Sequence, residues 1–196
     1  MSGELIELVS RIASVRILCV GDIMLDRFIT GEVARISPEA PVPVLRIHGE
    51  VAMLGGAGNV ARNVAALGGH VTLVGLTGDD AAANEIGDAL AGLGTASANL
   101  VRHDSRPTTI KTRFVAGTQQ VLRADAEVSE PLDDTTGDAL IARAEAAMPT
   151  HNVLVLSDYG KGVLSHGRAQ HLISAAKTAG LPVIVDPKGP VYRIYA

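Results

Sequence analysis

The sequence predicts an α/β protein: a mostly parallel sheet with helices on both faces, joined to a small β unit. Three observations predict it. Short β-branched apolar runs alternate with helical patterns along most of the chain. Because helices separate these strands, neighbouring strands are joined by right-handed crossovers and run parallel, buried on both faces. Two stretches, 27–50 and 108–125, break the rhythm with period-two alternation.

In chain order, residues 4–13 place Leu5, Leu8, Val9 and Ile12 at helical spacing, and the apolar run Val15 to Val20 ends at Gly21-Asp22. This reads as a helix followed by a buried strand. The alternation continues as helix near 59–67, strand 71–76, helix 80–93, strand 98–101, helix 134–147, strand 152–157, helix 166–179 and strand 182–186. Ser165 is the expected N-cap of the last helix, with Gly180 and Pro182 as its stop. Of the two exceptional stretches, 27–50 carries Pro38, Pro41 and Pro43 and then alternates through Ile47. In 108–125, Ile110, Thr112 and Phe114 share one face and Lys111 and Arg113 the other, before a turn at Ala116-Gly117-Thr118 and a return to Asp125. Both are expected to be antiparallel strands of a small β subdomain or lid.

Composition narrows the function classes. Seventeen Lys and Arg stand against 21 Asp and Glu, a net charge of −4, which gives no electrostatic basis for binding nucleic acid or an anionic membrane. No apolar run approaches the roughly 20 residues of a membrane helix, and Glu4 and Glu7 stand where a signal peptide would be basic. A cytoplasmic protein is expected. Cys19, the single cysteine, lies in an apolar run and reads as a core residue. His48, His70, His103, His151, His166 and His171 have no metal-ligand spacing, and neither a G-x-S-x-G elbow nor a Walker-type phosphate loop is present.

The chain holds 21 glycines in 196 residues, above the usual share of about 7%. They concentrate at 55–58, 68–69 and 75–78. Leu54-Gly55-Gly56-Ala57-Gly58-Asn59 runs straight into a helix, whose free N–H groups and partial positive charge suit a phosphate or a sugar hydroxyl. Gly56 to Ala61 also fits the dinucleotide fingerprint G-x-G-x-x-A, with Asp79 about 20 residues on, so a nicotinamide or flavin oxidoreductase stays open. No clean strand is expected to lead into Gly56, and Asp79 falls beyond its strand. Acids also end three predicted strands: Asp22 and Asp26, then Asp158, then Asp186. Lys161 and Lys188 follow close behind the last two. In open α/β sheets such strand ends converge on one crevice, where carboxylates hold hydroxyls and ammonium groups neutralise phosphates.

These segments resemble the ribokinase-like, or phosphofructokinase-B, family of sugar kinases. Gly55-Gly56-Ala57-Gly58-Asn59-Val60-Ala61, then Gly68, then Gly78 fit its first signature without a break. Gly21 to Arg27, Arg35 to Val44, Leu156 to Gly162 and Val185 to Gly189 are similar to the family's heptose phosphate kinase branch, often fused to an adenylyltransferase. The resemblance runs from about residue 15 to the last residue. It implies a ribokinase-like fold and transfer of a phosphoryl group from MgATP to O1 of D-glycero-β-D-manno-heptose 7-phosphate, toward ADP-heptose for lipopolysaccharide. By position it implies that Asp26 holds sugar hydroxyls and that Gly55, Gly56 and Asn59 floor the sugar site. It further implies that Lys111 and Arg113 are candidates for the 7-phosphate, and that Asp158, Lys161, Asp186 and Lys188 line the crevice where sugar and ATP phosphates meet. The β lid commonly carries homodimer contacts in such kinases. A non-catalytic sugar-binding module is the remaining alternative.

The family carries a later D-T-x-G-A-G-D motif, whose glycines form an anion hole and whose last Asp is the base. Asp134-Thr135-Thr136-Gly137-Asp138 lacks the Ala-Gly pair and precedes the Asp158 strand, so it reads as a helix start. The chain is therefore expected to be the N-terminal, sugar-holding part of a kinase domain over 1–196, with its base beyond Ala196, no metal ligands of its own, and negligible turnover by itself.

Overall fold

The computed structural model describes residues 3–189 and 192–195, with side chains from Glu7 onward. The elements are α1 (Gly3–Arg11), β1 (Arg16–Gly21), β2 (Ile23–Ile36), β3 (Pro43–Gly56), α2 (Ala57–Ala66), β4 (His70–Gly78) and α3 (Ala81–Ala91). They continue as β5 (Ala96–His103), β6 (Ile110–Ala116), β7 (Gln119–Ala126), α4 (Asp134–Ala147), β8 (Val153–Ser157), α5 (Arg168–Thr178) and β9 (Val183–Asp186).

Two sheets result. The first has the order β5-β4-β1-β8-β9 and is parallel throughout. Alternate residues of β1 feed opposite cores, as a strand covered on both faces requires. Leu18 and Val20 pack with Leu140, Ala144, Leu172 and Ile173 of α4 and α5. Cys19 packs with Ala61, Val64, Ile86 and Leu90 of α2 and α3. The strands added after β1 lie first on one side, as β4 and β5, and then on the other, as β8 and β9. The boundary between β1 and β8 is thus the switch point where an open α/β sheet leaves a crevice at its carboxyl edge. Gly21 faces Ser157 across it so closely that a Cβ would lie 2.0 Å from the Ser157 carbonyl oxygen.

The second sheet has the order β3-β2-β6-β7, with β2 antiparallel to β3 and parallel to β6, and β6 antiparallel to β7. It contains both exceptional stretches. Its strands begin earlier and end later than the alternation implies, because β2 starts one residue after Asp22 and β3 runs to Gly56. Leu25 and Leu54, at the root of the hairpin, join the core beneath α2.

The helix expected over 4–13 forms as α1; its Leu8 and Val9 are 56% and 49% exposed, and the side chain of Leu5 lies outside the described residues. Two local expectations need correction. Ser165 does not cap α5: Gly167 holds the N-cap position with φ 77°, while the Ser165 hydroxyl donates to the Gly162 carbonyl at 2.7 Å. Glu50 to Leu54, a poor strand candidate by composition, is the end of β3, held by its pairing with β2.

Candidate functional site

The carboxyl end of β1 fixes the site. Asp22 is 1% exposed, and its carboxylate accepts from the backbone N–H groups of Tyr159 (2.8 Å), Lys161 (3.0 Å) and Val163 (3.2 Å). One side chain thereby shapes the whole loop after β8. Burial pushes the Asp22 carboxyl above its usual range, against the lowering by these three donors. Its carbonyl accepts from Ala57 N–H at 2.9 Å, which ties α2 to the same point.

Where the hairpin of β2 and β3 meets α2, a cavity of about 420 Å³ opens. Asp26, Gly55, Gly56, Asn59, Lys111 and Arg113 all line it. Asp26 lies beside Lys111 in the β2–β6 register, and its carboxylate accepts from Arg113 Nη1 at 2.5 Å. Arg113 also stacks over Phe28, 5.2 Å from the ring centre. Gly55 has room for no side chain, since a Cβ would stand 2.3 Å from Asp26 Oδ2. Gly56 makes the turn into α2 with φ 56°, a conformation favouring glycine, and a Cβ there would reach 2.3 Å from the Asp22 carbonyl. The helix start carries no side-chain cap.

The cations divide into two groups. Lys111 donates to Asp125 at 2.9 Å and to Glu127 at 2.7 Å; burial works against its ammonium group, but these bonds raise its pKa overall. Arg62, which the sequence reading did not single out, donates to Asn59 Oδ1 at 2.8 Å and to the Met53 sulfur at 3.3 Å. Among the described residues it has no carboxylate within ion-pair distance. Helical spacing from Asn59 alone could have flagged it, because a residue three positions on shares its face.

Asp158, Lys161, Asp186 and Lys188 gather at the carboxyl ends of β8 and β9, outside the sugar-sized cavity. Asp158 N–H donates to the Asp186 carbonyl at 2.9 Å, and the Asp158 carboxylate accepts from Gly160 N–H and from the Tyr195 hydroxyl, each at 2.7 Å. Burial, then the bond to Asp158, pushes the Tyr195 hydroxyl up to about 12. Lys161 donates to Glu127 at 2.6 Å and to the Ser129 hydroxyl at 3.2 Å. Asp186 and Lys188 are exposed. Tyr195, Glu127 and Arg106, whose guanidinium binds three backbone carbonyls, are contacts the sequence reading missed. They belong to no motif and reach their partners only through the tertiary fold.

Asp134 to Asp138 forms the first turn of α4, capped by Asp133, whose carboxylate accepts from Thr136 N–H at 2.8 Å. That bond and the Thr136 hydroxyl hold the Asp133 carboxyl down to about 2. The segment is a helix start. The dinucleotide reading loses its structural context, since the strand entering Gly56 is antiparallel and belongs to the second sheet, whereas that fingerprint follows a strand of the parallel sheet. Cys19 is fully buried, and burial pushes its thiol up to about 12, as befits a core residue. A groove of about 450 Å³ between α4 and α5 is lined by the His171–Glu145 pair, Ser174 and Thr178 and by no strand-end acid. No described helix is long and apolar enough to cross a membrane.

Known proteins agree with this architecture. The chain is 50% identical over 191 residues to the bifunctional protein HldE of Rhodospirillum rubrum and 52% identical over 198 residues to that of Caulobacter vibrioides. The matches cover 97% and 100% of this chain but only 38% and 40% of those relatives. Among solved structures, Escherichia coli phosphofructokinase-2 in complex with fructose-6-phosphate superposes with a TM-score of 0.68 at 24% identity, over 92% of this chain and 57% of that one. Arabidopsis thaliana ribokinase complexed with ribose and ATP gives 0.61 at 20% identity, over 90% and 54%. At such identities these two show a common fold. The pfkB carbohydrate kinase family matches residues 15–194, and the chain belongs to it.

Proposed function

We propose that the gene product containing this chain transfers the γ-phosphoryl group of MgATP to O1 of D-glycero-β-D-manno-heptose 7-phosphate, toward ADP-heptose. One observation carries the reading: a carboxylate, a side-chain-free glycine floor and several cations share one sugar-sized cavity. In this reading the Asp26 carboxylate accepts hydrogen bonds from sugar hydroxyls, and Arg113, bonded to it, keeps it aimed. Gly55 and Gly56 let the sugar approach the backbone at the start of α2, beside the amide of Asn59. Lys111 and Arg113, joined by Arg62, provide the positive charge that a distal phosphate requires. MgATP supplies the transferred phosphoryl group and its own Mg²⁺. Asp158 stands where the sugar meets the transferred phosphate, with Lys161, Asp186 and Lys188 on the nucleotide side. No residue of this chain is assigned as the base.

The second sheet acts as the lid over the sugar. Its exposed Ile47, Val51 and Leu122 support a homodimer through that lid, which light scattering of the complete gene product tests.

The reaction is tested by ³¹P NMR of the complete gene product with MgATP and the heptose 7-phosphate. A new anomeric phosphate resonance and ADP are expected. Phosphorylation at another position would refute the O1 assignment, and phosphorylation of unphosphorylated heptose at equal rate would refute the role of the 7-phosphate.

A further inference from the structure

Glu127 joins two lysines that the proposed function places at opposite ends of the site. It follows β7 directly, in the stretch that returns the chain from the second sheet to α4. Its Oε2 accepts from Lys111 at 2.7 Å and its Oε1 from Lys161 at 2.6 Å. Lys111 and Lys161 side chains are 15% and 16% exposed and that of Glu127 25%, so solvent screens this bridge only in part. The same stretch is fixed from the other side by Arg106, which donates to the carbonyls of Val128 (2.6 Å), Glu130 (2.9 Å) and Lys161 (2.7 Å). Asp22 holds Lys161 N–H. Lys161 is therefore anchored to the parallel sheet by its backbone and to the second sheet by its ammonium group.

We propose that Glu127 is a positioning residue that couples the second sheet to the loop Asp158–Val163 through the Lys111–Glu127–Lys161 bridge. Each carboxylate oxygen faces one ammonium group, so neither lysine moves without disturbing the other's partner. Without the charge, Lys111 keeps its ion pair with Asp125, while Lys161 loses its carboxylate partner and keeps the Ser129 hydroxyl beside it. Two ammonium groups that the carboxylate had held together then repel one another. An anion arriving at Lys161 competes with Glu127, and through it acts on the strand that carries Lys111.

This inference rests on the proposed function for its kinetic consequence only, so the test has two readouts on the complete gene product. Amide hydrogen exchange of Glu127→Gln should quicken together in β7 and in residues 158–163, while α3 keeps the parent's protection. Quickening in one of the two segments, or in neither, overturns the coupling. In steady-state phosphorylation, Glu127→Gln should lower kcat at least tenfold while each KM changes less than threefold, and Glu127→Asp should recover part of the loss. An unchanged kcat, or a loss no larger than the unfolded fraction by thermal denaturation, overturns the positioning role. A parent protein that phosphorylates no sugar refutes the proposed function, and the exchange result still decides the coupling.

Discussion

Adding one methyl group at Gly55 tests the proposed sugar floor without removing any charged group. The β2–β3 register sets Gly55 opposite Met24, and an alanine Cβ would lie 2.3 Å from Asp26 Oδ2 and 2.8 Å from Met24 Cγ. Ordinary contact begins near 3.4 Å, so the overlap is about 1 Å. The strand backbone is clamped by its ladder, so the Asp26 side chain must swing away and give up Arg113. Overpacking of this kind costs about 1–3 kcal/mol. The lost charge-assisted bond adds about 1 kcal/mol, discounted because both side chains are 23% exposed. A total of about 2–4 kcal/mol falls partly on stability and partly on the geometry that holds the sugar. At about 1.4 kcal/mol per tenfold, sugar phosphate binding should weaken by at least tenfold. Calorimetric titration of the Gly55→Ala gene product with the heptose 7-phosphate, paired with urea denaturation, reads both parts. A folded Gly55→Ala variant that binds the sugar phosphate with the parent's affinity would refute the assignment of this floor.

Three further outcomes follow from the same geometry. Asp26→Ala should weaken sugar phosphate binding far more than MgATP binding by the same titration; equal effects on both would remove Asp26 from the sugar site. Gly87→Ala, in the middle of α3 with nothing within 4 Å of the added methyl, should raise stability by about 0.5–1 kcal/mol in urea denaturation, and destabilisation would contradict the described packing. Lys111 lowers the pKa of both Asp125 and Glu127, and Lys161 lowers that of Glu127 further. Their stabilisation is complete above the ordinary carboxylate range near pH 4 and is lost as pH falls through the lowered values. Unfolding free energy measured from pH 6 down to pH 2.5 should therefore decline less steeply in Glu127→Gln than in the parent; equal slopes would show that the bridge adds no pH-dependent stability.

The parallel sheet was legible because β1, β4 and β8 are buried on both faces and so carry uninterrupted apolar runs such as Val153 to Leu156. Strands of the second sheet were legible only where their two faces differ, as in Ile110 to Phe114. Glu50 to Leu54 has little strand propensity of its own and becomes a strand because β2 pairs with it. The apolar spacing of α1 announced its helix, although Leu8 and Val9 stay exposed. Among the site residues, Gly55, Gly56 and Asn59 lie within or near the turn into α2 and were announced by their short-range spacing, whereas Asp26, on β2, was visible only as an acid after the first predicted strand. The Asp26–Arg113 pair spans 87 positions and the Glu127–Lys161 pair 34, so each exists only once β2, β6 and β8 are in place. Asp22 was visible as a strand-end acid, but its hold on three N–H groups of a loop more than 130 positions away was not.

The central claim is that the cavity between β2, β3 and the start of α2 holds a phosphorylated sugar. The position of the heptose 7-phosphate in a crystal of the complete gene product tests it most directly. Sugar hydroxyls should lie within hydrogen-bond distance of the Asp26 carboxylate, the ring against Gly55 and Gly56, and the phosphate among Arg62, Lys111 and Arg113. A sugar phosphate bound elsewhere, with Asp26 still paired only to Arg113 and the glycine floor bare, would contradict it.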